Sequence, residues 1–183
     1  MTDLRRVRIA TDRDLVGPPP GRVEAIRIAP ASGAPMTTVW RIRGFAGRGL
    51  EGDRYHLGTG EWSDKPGDGR GLTLVAADVL EKANADNPGL EISPADTRRN
   101  VTTRGVDLEA LVGREFRIGG LRCIGVKLAE PCAYLEGLVG RPILRALTHK
   151  AGLRADILED GEIAVGDEVV PDAALLTTET IAG

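Results

Sequence analysis

Glu115-Phe116-Arg117-Ile118-Gly119-Gly120-Leu121-Arg122-Cys123-Ile124-Gly125-Val126-Lys127 is the stretch whose reading decides the fold class. Two short runs with strand-like alternation flank a Gly119-Gly120 pair, and such a pair suits the positive φ angles of a tight hairpin turn. The stretch therefore reads as a β-hairpin. Cys123 falls in its second strand, where a thiol is expected to pack as a small apolar group.

The pattern repeats outward from the hairpin. Upstream, Val23–Ile28 and Thr38–Arg43 read as strands, as do Leu72–Val75 and Arg99–Thr103. Ala76–Ala85 reads as a helix with Val79, Leu80 and Ala83 on one face, ended by Asn87-Pro88-Gly89. Asp107 suits the cap of a short helix closed by Gly113. Downstream, a helix beginning near Cys132 ends near Gly140, and Arg141-Pro142 opens another that carries Ile143, Leu144 and Leu147. Strands return at Leu153–Leu158, Ile163–Val165 and Val169–Val170, separated by Asp160-Gly161 and Gly166-Asp167. Many short strands with glycine turns predict a mainly β, single-domain barrel or sandwich with a few helices. Strands and helices do not alternate one to one. No glycine fingerprint of a dinucleotide or phosphate loop is present, so no nucleotide cofactor is expected.

Residues 44–71 stand apart. They hold nine of the 24 glycines and read as a long irregular loop anchored by Trp40, Tyr55 and Trp62. A loop of that length in a domain of this size is usually functional. Gly17-Pro18-Pro19-Pro20 punctuates the start. The expected organisation is an arm at 1–20, a domain at 21–172 and a tail at 173–183.

Composition narrows the function. Of 183 residues, 42% are hydrophobic, enough for a self-sufficient core. The net charge of −3 and the 3% aromatic content argue against nucleic-acid or membrane partners. Twenty of the 24 cations are arginines, the side chain whose planar fork fits phosphate and carboxylate. Two cysteines make neither a disulfide framework nor a four-thiolate zinc site, and with only two histidines no zinc is expected. The charged first residues lack the apolar run of a signal peptide, so a reducing cytoplasm is the expected setting.

Three clusters carry possible chemistry. In Glu130-Pro131-Cys132, Pro131 suits the first helical position. Cys132 would then face unpaired backbone N–H groups in the first turn. A helix start with cationic neighbours favours the thiolate of a cysteine, whose ordinary pKa is about 8.5. The thiol could carry sulfur, attack an electrophile or bind a soft metal, or it could be inert packing. His149 and Lys150 follow 17 residues on, which raises a Cys132–His149 nucleophile and base pair. In Gly52-Asp53-Arg54-Tyr55-His56, Arg54 could grip an anion with Asp53 orienting it, or the two could form a plain surface ion pair. In Arg98-Arg99-Asn100-Val101-Thr102-Thr103, a dense donor set could take a phosphate, or form a solvated edge strand.

Taken in order, several segments resemble a MOSC domain, the module related to the C-terminal part of molybdenum-cofactor sulfurases. They are Gly49 to Tyr55, Asp96 to Leu108, Leu111 to Gly119, Glu130-Pro131-Cys132, and Gly152 to Leu158 with Gly161 and Gly166-Asp167. The resemblance spans roughly residues 20–170. It implies a barrel-like fold and makes Cys132 the functional cysteine, catalytic or a metal ligand. It also implies molybdenum cofactor (molybdopterin) as the ligand, with Arg54, Arg99, Asn100, Thr102 and Thr103 as its anion-binding residues. Two activities follow from it. Cys132 could be a persulfide sulfur carrier fed by a pyridoxal-phosphate cysteine desulfurase and serving a molybdoenzyme or metal–sulfur acceptor. Alternatively, the domain could be a molybdenum-dependent reductase of N-hydroxylated compounds that draws on an external electron donor. A non-catalytic module that binds an anion or a partner is the third possibility. An enzyme assignment, as sulfur transferase or oxidoreductase, stays open on sequence alone.

Overall fold

The computed structural model describes residues 20–172 apart from 66, 67 and 151. The expected arm at 1–20, but for residue 20, and the expected tail at 173–183 lie outside the described residues.

Seven strands close into a barrel. They are β1 (Gly21–Ile28), β5 (Leu72–Ala76), β6 (Val101–Arg104), β7 (Glu115–Ile118), β8 (Leu121–Leu128), β9 (Leu153–Glu159) and β11 (Glu168–Pro171). Around the ring the order is β11-β7-β8-β9-β5-β6-β1, and β1 returns to β11 through Gly21↔Val169 and Arg22↔Glu168. All of these pairings are antiparallel except β5–β6, which is parallel. A parallel neighbour needs a crossover. Here the crossover carries α1 (Ala77–Asp86) and a 3-10 turn at Pro94–Thr97. A short strand β2 (Thr37–Val39) adds to β1. A second sheet is built from β3 (Arg41–Phe45), β4 (Gly49–Leu50) and β10 (Gly161–Ala164). The helices α2 (Ala133–Val139) and α3 (Ile143–Leu147) follow β8.

Alternation explains the barrel. Along β8, Leu121, Cys123 and Gly125 point inward while Arg122, Ile124 and Val126 are partly exposed. Inward residues from every barrel strand share one cluster that includes Val23, Ile26, Leu74, Val101, Phe116 and Ile157. A second cluster lies beneath the helices. Val75, Leu80, Leu90, Leu135, Ile143 and Leu147 meet there and dock α1, α2 and α3 together. Each fully buried leucine or isoleucine contributes about 1.5–3 kcal/mol.

Several details differ from the sequence expectations: the strand expected over Arg99–Thr103 is Val101–Arg104, and that expected over Ile163–Val165 is Gly161–Ala164. The strand expected over Thr38–Arg43 breaks at Trp40, which is 72% exposed, and its halves join different sheets. The loop over 44–71 contains the two-residue strand β4. Gly49 there has φ +103°, and a Cβ at that position would stand 2.9 Å from the Gly71 carbonyl oxygen. Pro131 is not the first helical residue. Cys132 itself is the N-cap of α2, with extended φ/ψ of −136° and 162°. The residue before the cap is free to be proline, so the motif still marks the helix start, with Ala133 as the first helical residue, two positions later than expected.

Candidate functional site

Cys132 stands exposed on the rim of a hollow of about 170 Å³. Its backbone is fixed from both sides. The Ala129 N–H donates to the Gly152 carbonyl at 2.8 Å, and the Cys132 carbonyl accepts the Glu136 N–H at 2.9 Å. Leu135, one turn into α2, is buried in the helical cluster. Glu136 Oε2 accepts the Leu144 N–H at 2.9 Å and joins α2 to α3. The thiol therefore rides on a helix held at its base.

Four arginines line the same hollow: Arg54, Arg98, Arg99 and Arg154. Arg99 is only 8% exposed and donates to the carbonyls of Ala129 and Glu130, at 2.7 and 3.4 Å. Burial first, then the charges of Arg154 and Arg54, pushes its guanidinium down to about 10, opposed by Cys132. The cationic form is thus crowded, and an incoming anion would relieve it. Arg98 is shifted the same way by burial and by Arg54. It adopts φ +56°, a left-handed turn just before β6, and donates to the Ala34 carbonyl at 2.8 Å.

Asp53 organises the loop behind Arg54. Its carboxylate is buried, and Oδ1 accepts from the Ala29 N–H at 3.1 Å, Arg54 Nη1 at 3.2 Å and Asn100 Nδ2 at 3.2 Å. The expected Asp53–Arg54 pair is thus a buried one. Arg54 also reaches the Arg98 carbonyl at 3.4 Å, and its guanidinium lies over the Tyr55 ring at 5.3 Å.

The structure brings Arg54, Arg99 and Cys132 to one hollow. It does not bring Asn100, Thr102 or Thr103 there. Asn100 is buried, its Oδ1 accepting from the N–H and hydroxyl of Thr73 and its Nδ2 donating to the Arg27 carbonyl and Asp53. Thr102 Oγ1 accepts from Arg27 at 2.8 Å, and Thr103 donates to the Val75 carbonyl at 3.4 Å. These three side chains are engaged inside the protein, by Thr73, Arg27, Asp53 and Val75, rather than in the hollow. Sequence reasoning missed Arg154 as a lining residue. It lies in β9, 22 residues beyond Cys132, within the Gly152 to Leu158 segment of the resemblance, but nothing in that segment assigns it to the site.

The Cys132–His149 pair is not assembled in one hollow. His149 lines a separate depression beside Lys150 and Asp107. Its N–H donates to Glu130 Oε2 and its ring Nδ1 lies 2.8 Å from Glu130 Oε1. The His149 backbone N–H, ahead of its ring, holds the Glu130 carboxyl below its ordinary range. His56 instead stacks on Phe45 at 5.3 Å. Cys123 is buried in the barrel, and burial followed by Asp156 pushes its thiol up to about 12. The expectation that Cys123 packs is met.

A profile of the MOSC domain matches residues 53–170. The chain belongs to the MOSC domain family. No curated protein sequence matches the chain. Among solved structures, the MOSC fold here is similar to the YuaD protein of Bacillus subtilis, with a TM-score of 0.68 at 17% identity, covering 81% of this chain and 93% of that one. It is also similar to YiiM from Geobacillus stearothermophilus, with a TM-score of 0.63, 16% identity and coverage of 83% and 75%. YiiM from Escherichia coli gives a TM-score of 0.57, 21% identity and coverage of 82% and 69%. At such identities the likeness is one of fold. Within this MOSC domain the matched segment contains Arg54, Arg98, Arg99, Cys132 and Arg154. Among the described residues no helix is long and apolar enough to cross a membrane.

Proposed function

We propose that the arginine hollow takes the anionic end of molybdenum cofactor and that Cys132 is the sulfur that meets its metal end. The observation that carries this reading is the exposed Cys132 thiol on a hollow lined by Arg54, Arg98, Arg99 and Arg154.

The donor set fits the group. Guanidinium forks suit a phosphate, and a thiolate suits a soft metal with sulfur ligands. Among the described residues no three His, Cys, Asp or Glu side chains gather to hold a metal by themselves. A metal at Cys132 would therefore arrive already held by an organic ligand, which is how this cofactor carries molybdenum. The cofactor, when bound, supplies two-electron and sulfur chemistry. The chain's residues supply the rest. Arg99 and Arg98 neutralise the anion. Asp53 orients Arg54. The docked base of α2 keeps the thiol at the rim.

The exposure of Cys132 favours a second use of the same thiol, as a persulfide carrier. The Cys132 thiolate attacks the outer sulfur of a donor persulfide, such as that of a pyridoxal-phosphate cysteine desulfurase. The donor S–S bond breaks, the donor leaves as a thiolate, and Cys132 keeps the extra sulfur. No net oxidation occurs. A molybdoenzyme or metal–sulfur acceptor would then take that sulfur.

Purification from a host that makes the cofactor, followed by metal and pterin analysis, tests the first reading. Near-stoichiometric molybdenum and pterin in the wild type, with metal lost in Cys132→Ser, are expected. Traces of both in the wild type overturn it. Intact-mass spectra after incubation with a desulfurase and cysteine test the carrier. One added sulfur on the wild type and none on Cys132→Ser are expected, and equal addition to both refutes it. Turnover of an N-hydroxylated substrate with a chemical reductant would make the loaded protein a reductase.

A further inference from the structure

The chain has only two Trp, two Tyr and two Phe. Three of these six rings, Tyr55, Trp62 and Tyr134, line the Cys132 hollow. Phe116 is spent in the barrel core and Phe45 stacks on His56. Trp62 is left 44% exposed and Tyr134 51% exposed. These two large rings, one from a loop and one from α2, thus stay open to solvent at the lining of the hollow.

Their placement is nonetheless fixed. Ser32 Oγ lies 3.4 Å from the Tyr134 hydroxyl and donates to Glu61 Oε2 at 3.3 Å. Ser32 thus ties the tyrosine wall to the residue preceding Trp62. Lys65 Nζ stands 4.4 Å from the Trp62 ring centre and covers one face of the indole. Arg54 covers a face of Tyr55 in the same way. Exposed rings lining a hollow that four arginines also line make a surface that accepts flat π systems, because stacking needs only a face and no specific hydrogen bond.

We propose that Trp62 and Tyr134 form a stacking lip that selects ligands with a planar heteroaromatic ring next to an anionic group. This rests on the reading of the hollow as an anion site, and it adds the class of ligand. The anion lies on the arginines and the ring lies against Trp62 and Tyr134. Such a ring belongs either to the pterin of the cofactor or to a second, aromatic reactant.

The test uses metal-free full-length protein and three probes: 1-naphthyl phosphate, cyclohexyl phosphate and inorganic phosphate. Calorimetry gives the affinities, and in a Trp40→Phe background the fluorescence of Trp62 reports contact directly. The naphthyl ester is expected to bind at least about tenfold tighter than the other two. In Trp62→Ala/Tyr134→Ala that preference collapses while inorganic phosphate binds as before. Arg98→Gln weakens all three alike. Equal affinity for naphthyl and cyclohexyl esters, or a preference that survives in the double variant, overturns the proposal. Equal affinity for all three probes also overturns it and leaves the two rings as a docking lip for another protein. Pterin-6-carboxylate binding at least as tightly as 1-naphthyl phosphate then assigns the ring to the cofactor, and weaker binding assigns it to the second reactant. Cys132→Ser keeps the preference, so failure of the metal and sulfur chemistry is seen separately from failure of the lip.

Discussion

Asp53→Ala removes the acceptor on which the site loop depends. In the wild type one buried oxygen takes hydrogen bonds from the Ala29 N–H, Arg54 and Asn100, and the second oxygen takes the Tyr55 N–H at 3.4 Å. Alanine leaves two buried neutral donors without this partner, at about 1–3 kcal/mol each. It also leaves the Arg54 guanidinium, only 11% exposed, without its carboxylate. Breaking a buried pair of this kind costs about 3–5 kcal/mol, and because the terms share one network they do not add in full. The expected loss is about 3–5 kcal/mol. At roughly 2–4 °C per kcal/mol for a domain of this size, the unfolding midpoint falls by on the order of 10 °C. Urea denaturation and calorimetry measure it. Lys82→Ala, which breaks only the exposed pair to Asp86, serves as the control and leaves the midpoint in place. A loss for Asp53→Ala below about 1 kcal/mol would refute the claim that this carboxylate is the buried organiser of the loop.

Other outcomes follow from the same geometry. Iodoacetamide at pH 8 is expected to label one thiol of the native protein, Cys132, and both thiols after denaturation; labelling of Cys123 in the native protein would contradict its burial. The folded state holds the Cys123 proton up to about 12, whereas the unfolded thiol releases it near its ordinary value of about 8.5. The folded state therefore binds more protons in that window, so stability falls as pH rises through it, and Cys123→Ala flattens that slope in denaturation curves. Gly152→Ala is expected to be severely destabilising, because φ is +112° and a Cβ would stand 1.9 Å from the Leu74 carbonyl oxygen. Gly47→Ala, also at positive φ but with open space around it, costs about 1 kcal/mol, and the two unfolding midpoints should separate clearly.

Much of the barrel is legible in the chain because alternation is a local signal. Phe116 and Ile118 face inward for the reason that they are two residues apart, and Gly119-Gly120 turns the chain between β7 and β8. What fails is what depends on distant partners. Trp40 breaks a good strand pattern because Thr37–Val39 and Arg41–Phe45 are claimed by different sheets. Asn100, Thr102 and Thr103 look like ligand donors in sequence. Their spacing cannot reveal that Thr73, Arg27 and Val75 occupy them. For the same reason the polar clusters around Arg54, Arg99 and Cys132 point to a site, while Arg154, alone in an alternating strand, does not. It enters the hollow only because β9 lies next to β8 and β5.

The pairing of Gly21 with Val169 and of Arg22 with Glu168 places the opening and closing strands of the ring side by side. A circularly permuted gene should therefore be tolerated. New termini at Pro88-Gly89, an exposed turn where a Cβ at Gly89 would meet nothing within 4 Å, sever no strand. Such a permutant keeps every rung of the cylinder while moving the covalent break to the crossover that leads to Arg98 and Arg99. It would let the order in which the ring zips shut be separated from the order in which the ribosome delivers its strands.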